Sequence, residues 1–135
     1  MIPMIRKILP ALACAVPLAL AAPACAEEEL APGFNACMDR SEGVTANMIE
    51  CMNDAHDYLD KRLNQVYKKA RTECEDDVCR KKLLEAERAW IKYRDAMSDA
   101  VWAMNGGGSM SRLMANQFIL EETKKQTKWL GGEDK

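Results

Sequence analysis

The chain has 135 residues, of which 48% are hydrophobic and 30% charged, and this length fits one globular domain without room for a second. Its 19 basic and 21 acidic residues leave a formal net charge of −2. A mildly acidic chain lacks the basic surplus with which proteins bind nucleic acids or anionic membranes, so both partner classes are disfavoured.

The first 26 residues have the pattern of a secretory signal peptide. Arg6 and Lys7 precede a proline-interrupted apolar run that is too short to span a membrane, and the small residues Ala24 and Ala26 follow it. We predict cleavage after Ala26 and a periplasmic or secreted domain. The alternative is a lipoprotein signal that would acylate Cys25, but the residues before this cysteine match such a signal poorly.

Removal of residues 1–26 leaves 109 residues, with 17 basic and 21 acidic side chains and a net charge of −4. This charge favours a basic partner. No second apolar run of membrane length follows, so no transmembrane segment is predicted in the mature chain. Residues 27–33 are charged and then contain proline and glycine, which predicts a loose tether ahead of the domain.

Four cysteines remain after cleavage, and an even count in an oxidising compartment predicts two disulfides. Of the three possible pairings, local order favours Cys37 with Cys51 and Cys74 with Cys79. Residues five apart in an unbroken helix are too distant for a bridge, so the second pair requires a turn between its members. The acidic residues 75–77 suit the start of the helix after that turn. The spacings match no zinc pattern, and neither a metal nor a cofactor is predicted.

Apolar residues recur at helical spacing along most of the mature chain. Residues 34–40 predict a short helical turn that ends near Gly43, and Thr45 is the candidate N-cap of a second segment of about seven turns. The only histidine, His56, is interpreted as a rim residue because no cysteine or serine is spaced to be its catalytic partner. The inner stripe of the long segment is predicted to be Met48, Cys51, Met52, Ala55, Leu59, Leu63, Val66 and Ala70.

The stretch 83–104 is predicted to be the helix around which the domain is organised. Arg94 follows Trp90 by four residues, so its guanidinium can lie near the indole, and its charge requires a partner. The opposite side should be solvated, since it carries Arg88, Lys92, Asp95 and Asp99. The predicted packed stripe consists of Leu83, Trp90, Ile91, Met97, Val101 and Met104, with Glu87 and Arg94 on the same line.

Three consecutive glycines, residues 106–108, predict a left-handed helix stop and a flexible connection. The lysine and the preceding strand of a phosphate-binding loop are both missing. Ser109 or Ser111 is the predicted cap of the last helix. The inner residues of that helix are predicted to be Leu113, Met114, Phe118, Leu120 and Leu130.

The mature chain contains no strand-type alternation, so the predicted fold is all-α. We expect a small helical bundle with two long antiparallel helices, a packed C-terminal helix and a disulfide-stapled N-terminal turn. The domain spans residues 34–130 and leaves a tail at 131–135. The seven mature methionines are interpreted as interior packing residues, and the alternative is a Met-rich groove for a partner helix.

Three blocks of this sequence resemble the LprI-type lysozyme-inhibitor family of exported bacterial proteins. They are "YLDKRLNQVYKK" at 58–69, "AERAWIKYRDA" at 86–96 and "GGS" at 107–109, after a first cysteine pair. The resemblance covers nearly the whole mature chain, from residue 37 to about residue 130. Members of the family usually carry glutamine at the position of Glu87. They also carry a second cysteine pair where this chain has Ser98 and Phe118, so here Cys74 and Cys79 place the second staple at the opposite turn.

The resemblance implies an envelope protein that binds and blocks a lysozyme. Lysozymes hydrolyse glycan with two carboxylates in a cleft, so an inserted loop or a positive side chain could occupy that cleft. The candidate partner-binding residues are those of the glycine corner: Asn105, Gly106, Gly107, Gly108, Ser109 and Arg112. Structural roles are assigned to the motif residues Asp60, Leu63, Asn64, Tyr67, Trp90, Tyr93, Arg94 and Asp95.

Two other functions compete with inhibition. A non-inhibitory assembly module that holds another periplasmic protein is the alternative, supported by the methionines. An enzyme is disfavoured because the chain offers one histidine, no nucleophile elbow and no cofactor loop. The carboxylate pairs Asp54/Asp57 and Asp95/Asp99 are interpreted as solvated helix surfaces.

Overall fold

The computed structural model describes residues 28–133, and the predicted signal peptide lies outside them. The described residues form four helices and no strand, which confirms the predicted all-α class. None of these helices is both long and apolar enough to cross a bilayer. The helices are α1 (Phe34–Arg40), α2 (Thr45–Glu73), α3 (Asp77–Met104) and α4 (Ser109–Gly131).

Local chemistry explains the sharp link between α2 and α3. Asp76 is the N-cap of α3, and its Oδ1 accepts a hydrogen bond from the Cys79 N–H at 2.7 Å. The predicted disulfide between Cys74 and Cys79 is present across this turn, with Cα atoms 5.5 Å apart. The predicted cap of α2 is displaced by one residue. Val44 occupies the cap position without a side-chain bond, and Thr45 is already helical.

The core lies mainly between α2 and α4. The predicted stripe of α2 is confirmed, because Cys51, Met52, Ala55, Leu59 and Leu63 are buried and the remaining three members are partly buried. Leu120 and Thr123 of α4 are each only 1% exposed.

The helix directions follow from contacts at both ends. Met52 lies beside Leu120, and Val66 lies close to Gly131, so α4 runs parallel to α2. Gln126 Nε2 donates to Glu87 Oε2 at 2.8 Å, and Ser98 Oγ donates to the Ala115 carbonyl at 3.4 Å. These two contacts make α3 antiparallel to α4, so α4 is the helix that both α2 and α3 pack against.

The expectation that α3 organises the core is wrong. Its contact with α2 is the smallest among the packed helix pairs. Its buried residues are the polar pair Glu87 and Ser98, whereas Met97 is 38% and Met104 83% exposed. The physical reason is that α4 occupies the position next to α2, and α3 turns its Glu87/Ser98 side toward α4.

The N-terminal turn is stapled to α2 as predicted. Cys37 of α1 is bonded to Cys51 on the inner side of α2, with Cα atoms 5.7 Å apart. Ala31 and Phe34 are buried in the same cluster as Cys51 and Ala55. The bridge therefore holds a small apolar cap on one side of α2.

The segment 28–33, expected to be a loose tether, lies against α4 instead. Lys124 Nζ donates to the carbonyls of Glu28 and Glu29 at 2.8 and 2.7 Å. The Glu28 carboxylate pairs with Lys128 and, at 3.6 Å, with Lys124. These contacts connect residues nearly a hundred positions apart, so no local sequence pattern predicts them.

These lysines give a testable pH dependence. The hydrogen bond from Lys128, together with the charge of Lys124, lowers the pKa of Glu28 below its usual 4.5. A depressed carboxyl pKa contributes stability that is present above the unfolded value and is lost as the pH falls through the folded value. We expect Glu28→Gln to lower the melting temperature at neutral pH, and this difference from the wild type to shrink as the pH falls below about 4.5 and to vanish once the pH is below the lowered pKa of folded Glu28. It should also shrink at high salt because the pair is exposed. Glu50→Gln, at an exposed glutamate of α2, is the control.

Candidate partner-binding site at the glycine corner

The corner between α3 and α4 is built on left-handed glycines, as predicted. Gly106 and Gly107 have φ values of 85° and 71°. The Gly106 N–H donates to the Ala103 carbonyl, and the Gly107 N–H donates to the Trp102 carbonyl, each at 3.2 Å. These bonds satisfy the last carbonyls of α3 while the chain reverses.

Two polar side chains brace the corner from within. Ser111 is 1% exposed, and its Oγ donates to the Asn105 carbonyl at 2.6 Å and accepts from the Gly108 N–H at 3.3 Å. Asn105 Nδ2 donates back to the Val101 carbonyl at 2.7 Å. Of the two predicted caps, Ser111 makes this contact, whereas Ser109 is exposed and starts α4. The backbone of the corner is therefore fixed by side chains on both of its sides.

Trp102 is a corner residue that sequence reasoning missed. Its indole lies over Gly107, and a Cβ built on Gly107 would approach the ring to 3.0 Å. The indole nevertheless remains 45% exposed. The sequence signal for this contact is an aromatic residue five positions before Gly107, but Trp102 lies outside the predicted packed stripe of α3.

The rim of the corner is apolar. Met104 is 83%, Met110 66% and Met114 43% exposed, so the expectation that Met104 and Met114 face inward is wrong. Arg112 is exposed and forms no salt bridge with any other described residue. The corner thus presents an uncompensated guanidinium among exposed methionines.

The three glycines allow a graded test of the corner. Gly106→Ala places a side chain at positive φ in open space, and the expected cost is about 1–2 kcal/mol of unfolding free energy. Gly107→Ala adds the contact with Trp102 and should cost more. Gly108→Ala has neither problem, so its expected cost is about zero. Urea unfolding of the three variants checks this order, and equal costs for Gly107→Ala and Gly108→Ala would contradict the packing of the corner.

The motif residues of α3 lie away from the corner. The Arg94 guanidinium lies over Trp90, 5.1 Å from the ring centroid. Its Nε and Nη2 donate to Asp95 Oδ1 at 2.9 and 2.8 Å, which identifies the partner that the sequence left open. Asp95 precedes Asn105 by ten residues, or about 15 Å of helix. Tyr93 is 49% exposed on the same helix.

The motif residues of α2 are divided between its surface and its core. Asn64 Nδ2 donates to the carbonyl and carboxylate of Asp60, one turn earlier, at 2.9 and 3.2 Å. Leu63 is buried, and Tyr67 is partly buried with its Oη enclosed and without a hydrogen-bond partner among the described residues. These contacts are internal to the helix and its packing.

The histidine and the carboxylate pairs form no catalytic arrangement in the described residues. His56 is partly buried beside a small cavity between α2 and α4, next to Asn53 and Asn116. Both carboxylate pairs, Asp54/Asp57 and Asp95/Asp99, are exposed on single helices, as interpreted from the sequence. Within residues 28–133, no three metal-ligating side chains cluster.

A comparison with known protein families finds a match over most of the domain. The family model described as "Lysozyme inhibitor LprI" matches residues 37–130. That range contains α2, α3, the glycine corner and nearly all of α4. No curated protein and no solved structure matches the chain.

Proposed function

Because this chain belongs to the LprI family of lysozyme inhibitors, we propose that it is an exported protein that blocks a peptidoglycan-cleaving lysozyme by forming a complex with it. The two disulfides support the exported location, since such bonds persist in oxidising compartments. The inhibiting surface in this proposal is the glycine corner, residues 105–112, with its rim of Trp102, Met104 and Met110.

The bracing of the corner by its own side chains is the observation that carries this assignment. Ser111 and Asn105 hold its backbone, and the Trp102 ring covers Gly107, so the exposed groups are already in place before a partner arrives. A preorganised loop loses little conformational entropy on binding, which increases affinity. Exposed methionine and tryptophan around it supply adaptable apolar contact area.

The chemistry of the corner fits a glycosidase cleft. A lysozyme cleft contains two carboxylates that act on the glycosidic bond. Arg112 lacks an internal salt-bridge partner in the described part of the chain, so its guanidinium is available to pair with a carboxylate at the cleft. The acidic mature chain would be attracted to basic lysozymes at long range, while Arg112 supplies the complementary charge at the contact itself.

The test mixes the oxidised mature protein with several lysozymes and measures complex formation and cell-wall clearance. We expect a complex at micromolar concentration with at least one lysozyme and slower clearance in its presence. Arg112→Glu should weaken inhibition by about tenfold or more, because it places a negative charge against the cleft carboxylates.

Lys61→Glu is the matched control for this variant. It makes the same change of charge at an exposed residue of α2, far along the chain from the corner, and should leave inhibition unaltered. If no lysozyme forms a complex, the assembly-module alternative replaces inhibition as the proposed function. If inhibition occurs but the two variants behave alike, the inhibiting surface lies elsewhere on the molecule.

A further inference from the structure

The helix α3 carries an apolar stripe that lies largely at its surface and shares Leu83, Trp90, Met97 and Met104 with the predicted packed stripe. Its members are separated by alternating steps of three and four residues, which is the spacing of a coiled-coil seam. We call this stripe the outer seam, and it consists of Leu83, Ala86, Trp90, Tyr93, Met97, Ala100 and Met104.

The outer seam is only partly used for packing inside the molecule. Leu83, Trp90 and Ala100 are partly buried, and Leu83 and Ala86 border a cavity with residues of α2 and α4. Tyr93, Met97 and Met104 are 49%, 38% and 83% exposed. The helix instead meets α4 through Glu87 and Ser98, and Met97 is turned by about 100° from Ser98, the residue that follows it. The helix α3 therefore buries polar residues within the molecule and leaves apolar residues in water, an arrangement that the hydrophobic effect disfavours unless a partner covers them.

The flank of the outer seam restricts the chemistry of that partner. The alanines at 89, 96 and 103 lie beside the seam at seven-residue intervals, and all three are exposed. The seam positions and this alanine flank are uncharged, whereas the opposite flank carries Arg94, whose guanidinium lies over Trp90 and is paired with Asp95. An uncharged seam with coiled-coil spacing and a small-residue flank fits another apolar helix rather than a charged or extended segment.

We propose that two copies of this chain pair through the outer seam, with their α3 helices antiparallel about a two-fold axis near Asp95. In this arrangement Trp90 faces Ala100 of the second copy, Met104 faces Ala86, and Met97 faces Tyr93. Large side chains thus meet mainly small ones, and every contact occurs twice, as a two-fold interface requires. A parallel pair would instead oppose Trp90 to Trp90 and Ala100 to Ala100, producing overlap at one level and a gap at the next.

The available area suits a dimer of moderate affinity. Tyr93, Met97, Met104 and the five alanines of the seam and flank would lose at most on the order of 600 Å² per copy, if the exposed part of each were fully covered. Specific interfaces begin at about 1,200 Å² in total, so this seam lies at the lower end of that range. We therefore expect association that depends on concentration, and this inference is independent of lysozyme inhibition.

Sedimentation equilibrium of the oxidised mature protein tests the pairing. We expect a dimer that dissociates on dilution from about 100 µM. Met97→Glu should raise the dissociation constant by about 100-fold or more, because it would bury an unpaired charge at the centre of the seam. Lys92→Glu, on the solvated side of the same helix, should leave it within about threefold of the wild type. Since Met97 is 38% exposed, the charge should be tolerated by the monomer, and circular dichroism verifies this.

Cross-linking tests the direction of the helices. Ala86→Cys and Met104→Cys proteins, mixed and treated with a short bismaleimide, should give a covalent dimer only in the mixture, because residue 86 faces residue 104 of the other copy. Cross-linking of each variant with itself indicates a parallel pair and overturns the proposed arrangement. A wild-type protein that stays monomeric at about 100 µM, or equal effects of Met97→Glu and Lys92→Glu, overturns the proposal altogether. A monomer whose lysozyme binding is lost in Met97→Glu would overturn it as well, and would assign the seam to that partner.

Discussion

Replacing Leu120 by alanine is expected to lower the free energy of unfolding by about 3–4 kcal/mol. Leu120 is 1% exposed in the apolar cluster between α2 and α4, next to Met52. The substitution removes buried surface and leaves a cavity that these two helices cannot easily close, because α1 is bonded by its disulfide to the same inner side of α2 and its residues belong to the same cluster. Urea denaturation monitored by circular dichroism measures the effect.

Met114→Ala is the matched control for this substitution. It truncates a side chain on the same helix, but one that is 43% exposed, so the expected loss is below about 1 kcal/mol. Similar losses for both variants would show that α4 does not occupy the position between α2 and α3 described above.

Removing the bridge between Cys37 and Cys51 with a Cys37→Ala/Cys51→Ala double substitution should cost about 3 kcal/mol. This bridge closes 14 residues of chain and fixes α1, Phe34 and Ala31 onto the inner side of α2. Without it, the unfolded chain gains conformational entropy and the short helix has little else to hold it. Thermal unfolding gives the total loss, and amide hydrogen exchange should show the earliest opening in α1.

The bridge between Cys74 and Cys79 provides the comparison. It closes only five residues, so its removal by two alanines should cost less, about 2 kcal/mol. Opening should then be confined to the link between α2 and α3, where Asp76 still caps the helix. A larger loss of unfolding free energy for this bridge than for the Cys37–Cys51 bridge would contradict the expectation that α1 depends more on its disulfide than the link between α2 and α3 does.

The helices and their ends could be predicted because they depend on neighbours along the chain. The stripe of α2, the acidic start of α3, the left-handed glycines and both disulfide pairings are encoded within a few residues or a short loop. The candidate corner could be located for the same reason. Its bracing by Ser111 and the cover of Gly107 by Trp102 required the three-dimensional path of the chain.

The sequence by itself determined that residues 28–133 form four helices with two local disulfides and a glycine corner, since helix periodicity, capping and short loops act over one or two turns. Only the tertiary structure decided that α4 is the shared packing partner, that Glu87 and Ser98 rather than Met97 face it, and that Glu28 reaches Lys124 and Lys128. An apolar stripe shows that a helix can bury one side, but the helices compete for the same core. In this protein α4 contacts both long helices, and Tyr93, Met97 and Met104 of the outer seam remain exposed at the surface.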